Sequence, residues 1–163
     1  MTWQLRRAHT DDLRAIMVLE SGVFATDAWS SATMLDELGN ANCYYLVAFR
    51  PESPEEIEAY AGLRAPNGAH EGDIQTIAVA EGSRRTGLGR TLILTLVAEA
   101  RKRGAADVFL EVRADNPGAQ ALYRSIGFEQ IALRPNSDQP DGVDAIVMRL
   151  EIPKPRLSPA VGA

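Results

Sequence analysis

A short segment rich in arginine and glycine, near the middle of the chain, constrains the fold most. Residues 84–90 have the sequence Arg-Arg-Thr-Gly-Leu-Gly-Arg. An apolar run at 74–80 before them predicts a strand, and an apolar-periodic run at 90–103 predicts a helix. Glycine permits positive φ angles and close backbone approach, and a helix N-terminus offers unpaired N–H groups and a positive dipole end. The segment therefore predicts a turn whose amides bind a phosphate or diphosphate.

Two better-known phosphate-binding motifs do not fit this segment. Gly82 and Gly87 have the spacing of a P-loop, but Leu88-Gly89 stands where Lys-Ser/Thr is required, so a nucleoside triphosphatase is not indicated. The dinucleotide-binding pattern G-x-G-x-x-G fails as well, because Leu92 stands where the third glycine belongs. One alternative stays open from the loop alone, namely a glycine-rich connection with solvated arginines.

Length and composition predict one globular domain without a membrane segment. The chain has 163 residues and a hydrophobic content of 45%, which is ordinary for a packed core. No apolar stretch approaches the length of about 20 residues that spans a bilayer. The first seven residues lack the apolar core of a signal peptide, and the single cysteine, Cys43, allows no intrachain disulfide. These features together predict a cytoplasmic protein.

The charged and metal-binding residues argue against two kinds of partner. The net charge of −5 gives no support for nucleic-acid binding. His9 and His70 lie far apart in turn-like settings without a cysteine or carboxylate at ligand spacing, so no metal site is predicted. Cys43 precedes a predicted strand and is expected to be a buried structural thiol rather than a nucleophile.

Hydrophobic periodicity and turn residues predict the element order β-α-α-β-β-β-α-β-α-β-β in one domain over residues 1–150. The last helix is the best defined, because Asn116 caps it, Pro117 takes its first position and Gly127 ends it. Three prolines in a polar setting predict a disordered tail over 151–163.

Two motifs placed in this order resemble the GNAT superfamily of acetyl-CoA-dependent N-acetyltransferases. The first is Arg84-x-x-Gly87-x-Gly89 after the fourth strand, and the second is Asn116-x-x-Ala-x-x-Leu-Tyr-x-x-x-Gly-Phe. The resemblance spans roughly residues 3–150. It implies an α/β fold in which a mixed, mostly antiparallel sheet is flanked by helices. It also implies direct acetyl transfer from acetyl-CoA to a primary amine, with no metal.

Four parts of the chain match one group within the superfamily, namely Ile77-Ala78-Val79, the loop at 85–90, Leu110-Glu111-Val112-Arg113 and Asn116. Through them the chain is most similar to the RimI-like group, which acetylates the N-terminal alanine of a small-subunit ribosomal protein. One departure matters, since members carry a tyrosine pair between the last two strands where this chain has Asn-Ser-Asp-Gln at 136–139. That loop grips the substrate backbone in related peptide acetyltransferases. A small-molecule amine, such as an amino acid, a polyamine or an aminoglycoside, therefore stays open as the acceptor. A non-catalytic module that binds acetyl-CoA is the third hypothesis.

The resemblance also implies roles for individual residues. Glu111 would act as the base for the amine, and Tyr123 would protonate the leaving thiolate. Trp29 would wall the substrate groove. The residues expected to bind the cofactor are Ile77, Ala78, Val79, Arg84, Arg85, Thr86, Gly87, Leu88, Gly89, Arg90 and Asn116.

The residues taken alone leave a simpler interpretation open at each of these positions. Glu111 shares a strand face with Phe109 and Arg113, so an ion pair with an arginine at the sheet end is an equal prediction. Tyr123 lies on an apolar helical stripe, where packing in the core is the ordinary role. Trp29 suits a core anchor as well as a wall, and Asn116 is first of all a helix cap.

Overall fold

The computed structural model describes residues 2–24, 28–138 and 142–153. Within these ranges the elements follow the predicted order. The strands are β1 Gln4–Arg7, β2 Cys43–Phe49, β3 Ala59–Arg64, β4 Glu71–Val79, β5 Asp107–Arg113, β6 Glu129–Asp138 and β7 Val143–Glu151. The helices are α1 Leu13–Val23, α2 Ser31–Gly39, α3 Leu88–Lys102 and α4 Pro117–Ile126, and 3-10 turns lie at Thr10–Asp12 and Glu81–Ser83.

The strands form one mixed sheet in the order β1-β2-β3-β4-β5-β7-β6. Every neighbouring pair is antiparallel except β4 and β5, which confirms the predicted mixed, mostly antiparallel sheet. The parallel ladder is short, since it runs only from Glu71↔Asp107 to Asp73↔Phe109. Both strands continue past it, β4 to Val79 and β5 to Arg113. Their unpaired ends leave a gap in the middle of the sheet.

Helices cover the two faces of the sheet and bury separate apolar clusters. The stripe of α3 that the i, i+3, i+4 spacing predicts is buried against one face, with Leu92, Ile93 and Leu96 at 0% exposure. Helices α1 and α2 cover the other face, where Ile16 and Met34 are equally buried. Each such side chain stabilises the fold by about 1.5–3 kcal/mol relative to exposure. The strands that border the gap are therefore held firmly from both sides.

The ends of α3 and α4 show how the sequence sets the helix boundaries. Helix α3 begins at Leu88, two residues before the predicted start, because Gly87 adopts the left-handed φ of 82° and acts as its N-cap. Helix α4 agrees with the prediction, since Asn116 Oδ1 accepts the Ala119 N–H at 3.1 Å and Gly127 ends the helix with a φ of 122°.

The predicted loop at 136–139 is corrected by the structure. Residues 136–138 belong to β6, whose pairing with β7 reaches Asp138↔Val143. The ladder is irregular between Arg134 and Asp138, and Asn136 has a φ of 52°. Polar residues are tolerated here because β6 lies at the edge of the sheet. Gln139 and the predicted disordered tail beyond residue 153 lie outside the described residues.

Two smaller predictions on the body of the chain have outcomes here. Cys43 is buried at 2% exposure, and burial, with the charge of Glu37, raises the pKa of its thiol to about 11. This confirms a structural thiol rather than a nucleophile. No helix in the described ranges is long and apolar enough to span a membrane. The expected cytoplasmic location stays a prediction.

Candidate active site

A cavity of about 420 Å³ lies at the gap between β4 and β5. Five residues that the sequence singled out line it together, although they come from five separate elements or connections: Trp29, Ile77, Glu111, Asn116 and Tyr123. The other lining residues are Glu20, Phe24, Ile74, Gln75, Thr76, Leu110, Val112, Arg113 and Ala119. The two residues expected to move protons thus share one cavity with the expected substrate wall.

Glu111 lines the cavity from β5, but its side chain is more exposed to solvent than we expect for a catalytic base. Its side chain is 43% exposed and forms an ion pair with Arg134 of β6. The pair bridges β7, because Glu111 is in register with Val147 and Arg134 with Ala145. The interpretation of Glu111 as the partner of an arginine at the sheet end is therefore part of the structure. The carboxylate also lines the cavity, and its expected role as the base stays a prediction.

Tyr123 lies deeper in the same cavity. Its side chain is 6% exposed and packs edge-to-face on Phe128, with ring centroids 6.1 Å apart. The hydroxyl makes no hydrogen bond to any residue within the described ranges. Burial raises the pKa of Tyr123 to about 12, because the phenolate is poorly solvated there. The group therefore stays protonated at neutral pH and is available as a proton donor.

The turn at 84–90 has the backbone of an anion-binding nest. Arg85 and Gly87 take left-handed φ values of 62° and 82°, and α3 begins directly after them. Among the described residues, no carbonyl or side chain accepts the amide N–H groups of residues 85–90. Successive free amides at a helix N-terminus suit a phosphate or diphosphate in chemistry and in charge.

Side chains hold this turn in place while its amides stay free. Thr86 Oγ1 donates to the Ser83 carbonyl at 2.7 Å, and Arg84 Nε donates to the Val79 carbonyl at 3.1 Å. Arg90 Nη1 donates to Ser125 Oγ at 2.9 Å and so connects α3 to α4. The side chain of Leu88 anchors the turn to the core, where it is buried at 1% exposure.

The second glycine of the motif, Gly89, lies where α3 meets α4. A Cβ at Gly89 would lie 3.4 Å from Leu122 Cδ2 of α4. The two helices therefore approach each other at the start of α3.

Along the free edge of β4, every second backbone amide points into the gap between β4 and β5. The Ala80 N–H donates to the Glu58 carbonyl on the β3 side at 2.8 Å. Since strand residues alternate, Ala78 directs its amide to the same side, and Ile77 and Val79 direct theirs into the gap. The Val79 carbonyl already accepts a hydrogen bond from Arg84, so its amide is the more available group.

A second carboxylate in the cavity, Glu20 of α1, was not singled out from the sequence. It is 1% exposed, and its oxygens accept the Trp29 N–H at 2.8 Å and the Tyr60 hydroxyl. The signal was present, because Glu20 continues an otherwise apolar stripe through Ile16 that must face the core. A buried carboxylate requires such partners, since burying an unpaired charge is costly.

Acidic side chains line the space next to the cavity. An adjoining cavity of about 370 Å³ shares Glu111 and is also lined by Glu71 and Asp73. Partial burial, followed by the charges of Glu71 and Glu111, raises the pKa of Asp73, and Arg64 partly opposes this. Within the described part of the chain, no group of three or more His, Cys, Asp or Glu residues is arranged to hold a metal.

A comparison with protein families matches residues 7–128 to the acetyltransferase (GNAT) family. The chain belongs to the GNAT family. It is 35% identical to the N-alpha-acetyltransferase RimI of Mycobacterium tuberculosis over 143 residues, which cover 85% of each chain. It is 41% identical to the uncharacterized protein ML0378 of Mycobacterium leprae over 82% of its own length, but spans only 36% of that protein.

The fold is that of solved GNAT acetyltransferases. The crystal structure of the ribosomal-protein-S18-alanine N-acetyltransferase from Escherichia coli superposes with a TM-score of 0.81 at 31% identity, covering 96% of this chain and 99% of the other. Family and relatives together identify this GNAT member as an acyltransferase of the N-acetyltransferase class.

Proposed function

We propose that this enzyme transfers the acetyl group of acetyl-CoA directly to the N-terminal alanine of a small-subunit ribosomal protein. The observation that carries the proposal is the shared cavity, which brings Glu111 and Tyr123 to the gap beside the free edge of β4. The names of the relatives support the acceptor, since the Escherichia coli protein acts on alanine of ribosomal protein S18.

The cofactor would bind along the turn at 84–90 and the free edge of β4. The amides of residues 85–90 would hold its diphosphate, and the flanking arginines would add positive charge. The amides of Ile77 and Val79 would pair with the pantetheine arm as with an added strand. Asn116 lines the same cavity while its Oδ1 caps α4, so its cofactor contact would come from the remaining amide group.

The chemistry needs an unprotonated amine and a protonated leaving group. An α-amino group has a pKa of about 8, so it is mostly an ammonium at neutral pH and gains from a base. Glu111 would accept a proton from the amine, and Tyr123 would give one to the thiolate. The raised pKa of Tyr123 keeps that proton in place until the C–S bond breaks. The transfer would be direct, because no nucleophile for a covalent intermediate is evident in the cavity.

One sequence feature keeps a small-molecule amine as a second candidate acceptor. Where related peptide acetyltransferases carry tyrosines, this chain has Asn136 and Ser137 at the end of β6. A small amine would need only the cavity itself and no grip on a peptide backbone.

Acetyl transfer to matched peptides tests the proposal. Peptides that differ only in the first residue (alanine, serine or methionine) are incubated with enzyme and acetyl-CoA, and mass spectrometry detects the added acetyl group. We expect transfer to the alanine peptide and none to the same peptide with a blocked amine. Turnover of a polyamine or aminoglycoside with no transfer to any peptide would establish the second candidate instead.

A further inference from the structure

A chain of hydroxyl groups connects the cavity to the buried carboxylate of Glu20. The Tyr60 hydroxyl donates to Glu20 Oε1 and lies 3.3 Å from Thr76 Oγ1. Tyr60 is 0% exposed, whereas Glu20 and Thr76 both line the cavity. The three residues come from α1, β3 and β4, so the fold brings these hydrogen-bonding groups together.

The direction of these hydrogen bonds follows from counting protons. A phenol carries one O–H, and that of Tyr60 is given to Glu20. The contact between Tyr60 and Thr76 therefore has the Thr76 hydroxyl as its donor. Thr76 Oγ1 then has its lone pairs left for a donor in the cavity. All the O–H bonds point away from the cavity and towards a carboxylate.

Acetyl transfer to an ammonium requires two proton losses at nitrogen. One proton must leave before the lone pair can attack the thioester carbonyl, and a second leaves once the C–N bond has formed. The leaving thiolate takes up one proton, so one is released per turnover. Glu111 alone would have to serve both steps while paired with Arg134.

We propose that the chain of Thr76, Tyr60 and Glu20 takes the first of these protons. The ammonium N–H bond breaks and a proton passes to Thr76 Oγ1, the Thr76 proton passes to Tyr60 Oη, and the Tyr60 proton passes to Glu20 Oε1. The nitrogen keeps its lone pair, and Glu20 becomes a neutral carboxylic acid. Glu111 takes the second proton. When the product leaves, Glu20 returns its proton to water by the same route.

Several other titratable or charged groups share the cavity or the apolar cluster with Glu20. They are Tyr60 on β3, Tyr45 on β2 with its partner Glu37 on α2, Glu111 and Arg113 on β5, and Tyr123 on α4. Burial raises the pKa of Tyr45 and of Tyr123 well above neutral, so neither titrates in an ordinary assay.

The pH dependence of kcat/KM distinguishes a proton route from a structural role. Three substitutions each interrupt the hydrogen-bonded route at a different atom: Thr76→Val, Tyr60→Phe and Glu20→Gln. Each variant would depend on acceptor amine that is already deprotonated in solution. For an amine with a pKa of about 8, about one-tenth of the molecules are deprotonated at pH 7. We expect kcat/KM to fall about tenfold at pH 7 and to return within about twofold of the unaltered enzyme at pH 9.

A second tyrosine–glutamate pair in the same apolar cluster supplies a matched control. Tyr45 donates to Glu37 Oε1 at 2.9 Å, and neither residue lines the cavity. Tyr45→Phe should lose a similar hydrogen bond without changing the pH profile. Thermal unfolding confirms that each variant folds, and Thr76→Val, the mildest change, tests the route even if Glu20→Gln does not fold.

The inference rests on the proposed transfer to an amine, and a readout without turnover separates the two. Infrared difference spectra with alaninamide, a minimal acceptor, should show a new carboxylic-acid band that Glu20→Gln removes. Absence of that band, equal loss of kcat/KM at pH 7 and pH 9, or no loss in any variant overturns the route. If the band forms but no peptide is acetylated, only the proposed acceptor fails.

Discussion

Substituting Gly87 by alanine separates the backbone conformation of the 84–90 turn from its packing. Gly87 has φ 82° and ψ 2°, which is left-handed, and a Cβ there would meet no heavy atom within 4 Å. The substitution therefore adds no clash. It adds only the strain of a left-handed alanine, which is about 1–2 kcal/mol.

The strain lowers the free energy of unfolding, weakens the binding of coenzyme A, or does both, and the two losses in free energy together equal the strain energy. If the turn keeps its conformation, the free energy of unfolding falls by the whole amount, less the gain of about 0.4–1 kcal/mol that alanine in place of glycine brings by restricting the unfolded chain. If the turn relaxes in the free protein, the binding of coenzyme A must restore it, and affinity falls by up to about 5–30-fold. After allowance for that gain, the complex is destabilised by about 1–2 kcal/mol either way, relative to unfolded chain and free ligand.

Denaturant unfolding and calorimetric titration of coenzyme A measure the two parts. Gly82→Ala is the matched control, because Gly82 also meets nothing within 4 Å but has no positive φ. Alanine there should leave the affinity unchanged and stabilise the fold by about 0.4–1 kcal/mol. If Gly87→Ala matched Gly82→Ala in both measurements, the argument that a left-handed residue shapes this turn would be refuted.

Three further substitutions probe the site and the stability of the chain. Tyr123→Phe should lower kcat at least about a hundredfold with unchanged affinity for coenzyme A. In the unaltered enzyme burial raises the pKa of Tyr123 to about 12, so stopped assays should show no loss of activity from its ionisation below about pH 11. Glu111→Gln should lower kcat about a hundredfold at pH 7, and a variant as active as the unaltered enzyme would leave only the ion pair with Arg134 as its role. Asp12→Asn should cost about 0.5–1 kcal/mol of unfolding free energy at pH 7. The Arg6 hydrogen bonds lower the pKa of Asp12, so this stabilisation is present above about pH 4 and is lost as the pH falls further; an equal cost at pH 2 contradicts the reasoning.

The order of the elements was predictable because local signals determine it. Asn116, Pro117 and Gly127 bracket α4 as their chemistry requires, and the apolar stripe of α3 marks its buried face. The start of α3 was missed by two residues, since the left-handed conformation that makes Gly87 an N-cap is not visible in the sequence.

The contacts across the sheet were not predictable in the same way. The ion pair between Glu111 and Arg134 depends on the register of three strands, and β6 has two irregularities that no sequence pattern announces. The family resemblance implies a loop at 136–139, whereas the structure extends β6 to Asp138, because the edge of a sheet accepts polar residues. Glu20 was visible as a carboxylate on an apolar stripe, but its hydrogen bond with Tyr60 needed the fold.

The central claim is that the amides of residues 85–90 hold the diphosphate of coenzyme A and thereby place the acyl group beside Glu111 and Tyr123. Calorimetric titration of the folded protein with coenzyme A, and in parallel with pantetheine, which lacks the diphosphate, tests it most directly. We predict saturable binding of coenzyme A and at least about tenfold weaker binding of pantetheine. Equal affinity for the two molecules, or none for coenzyme A, would contradict the claim.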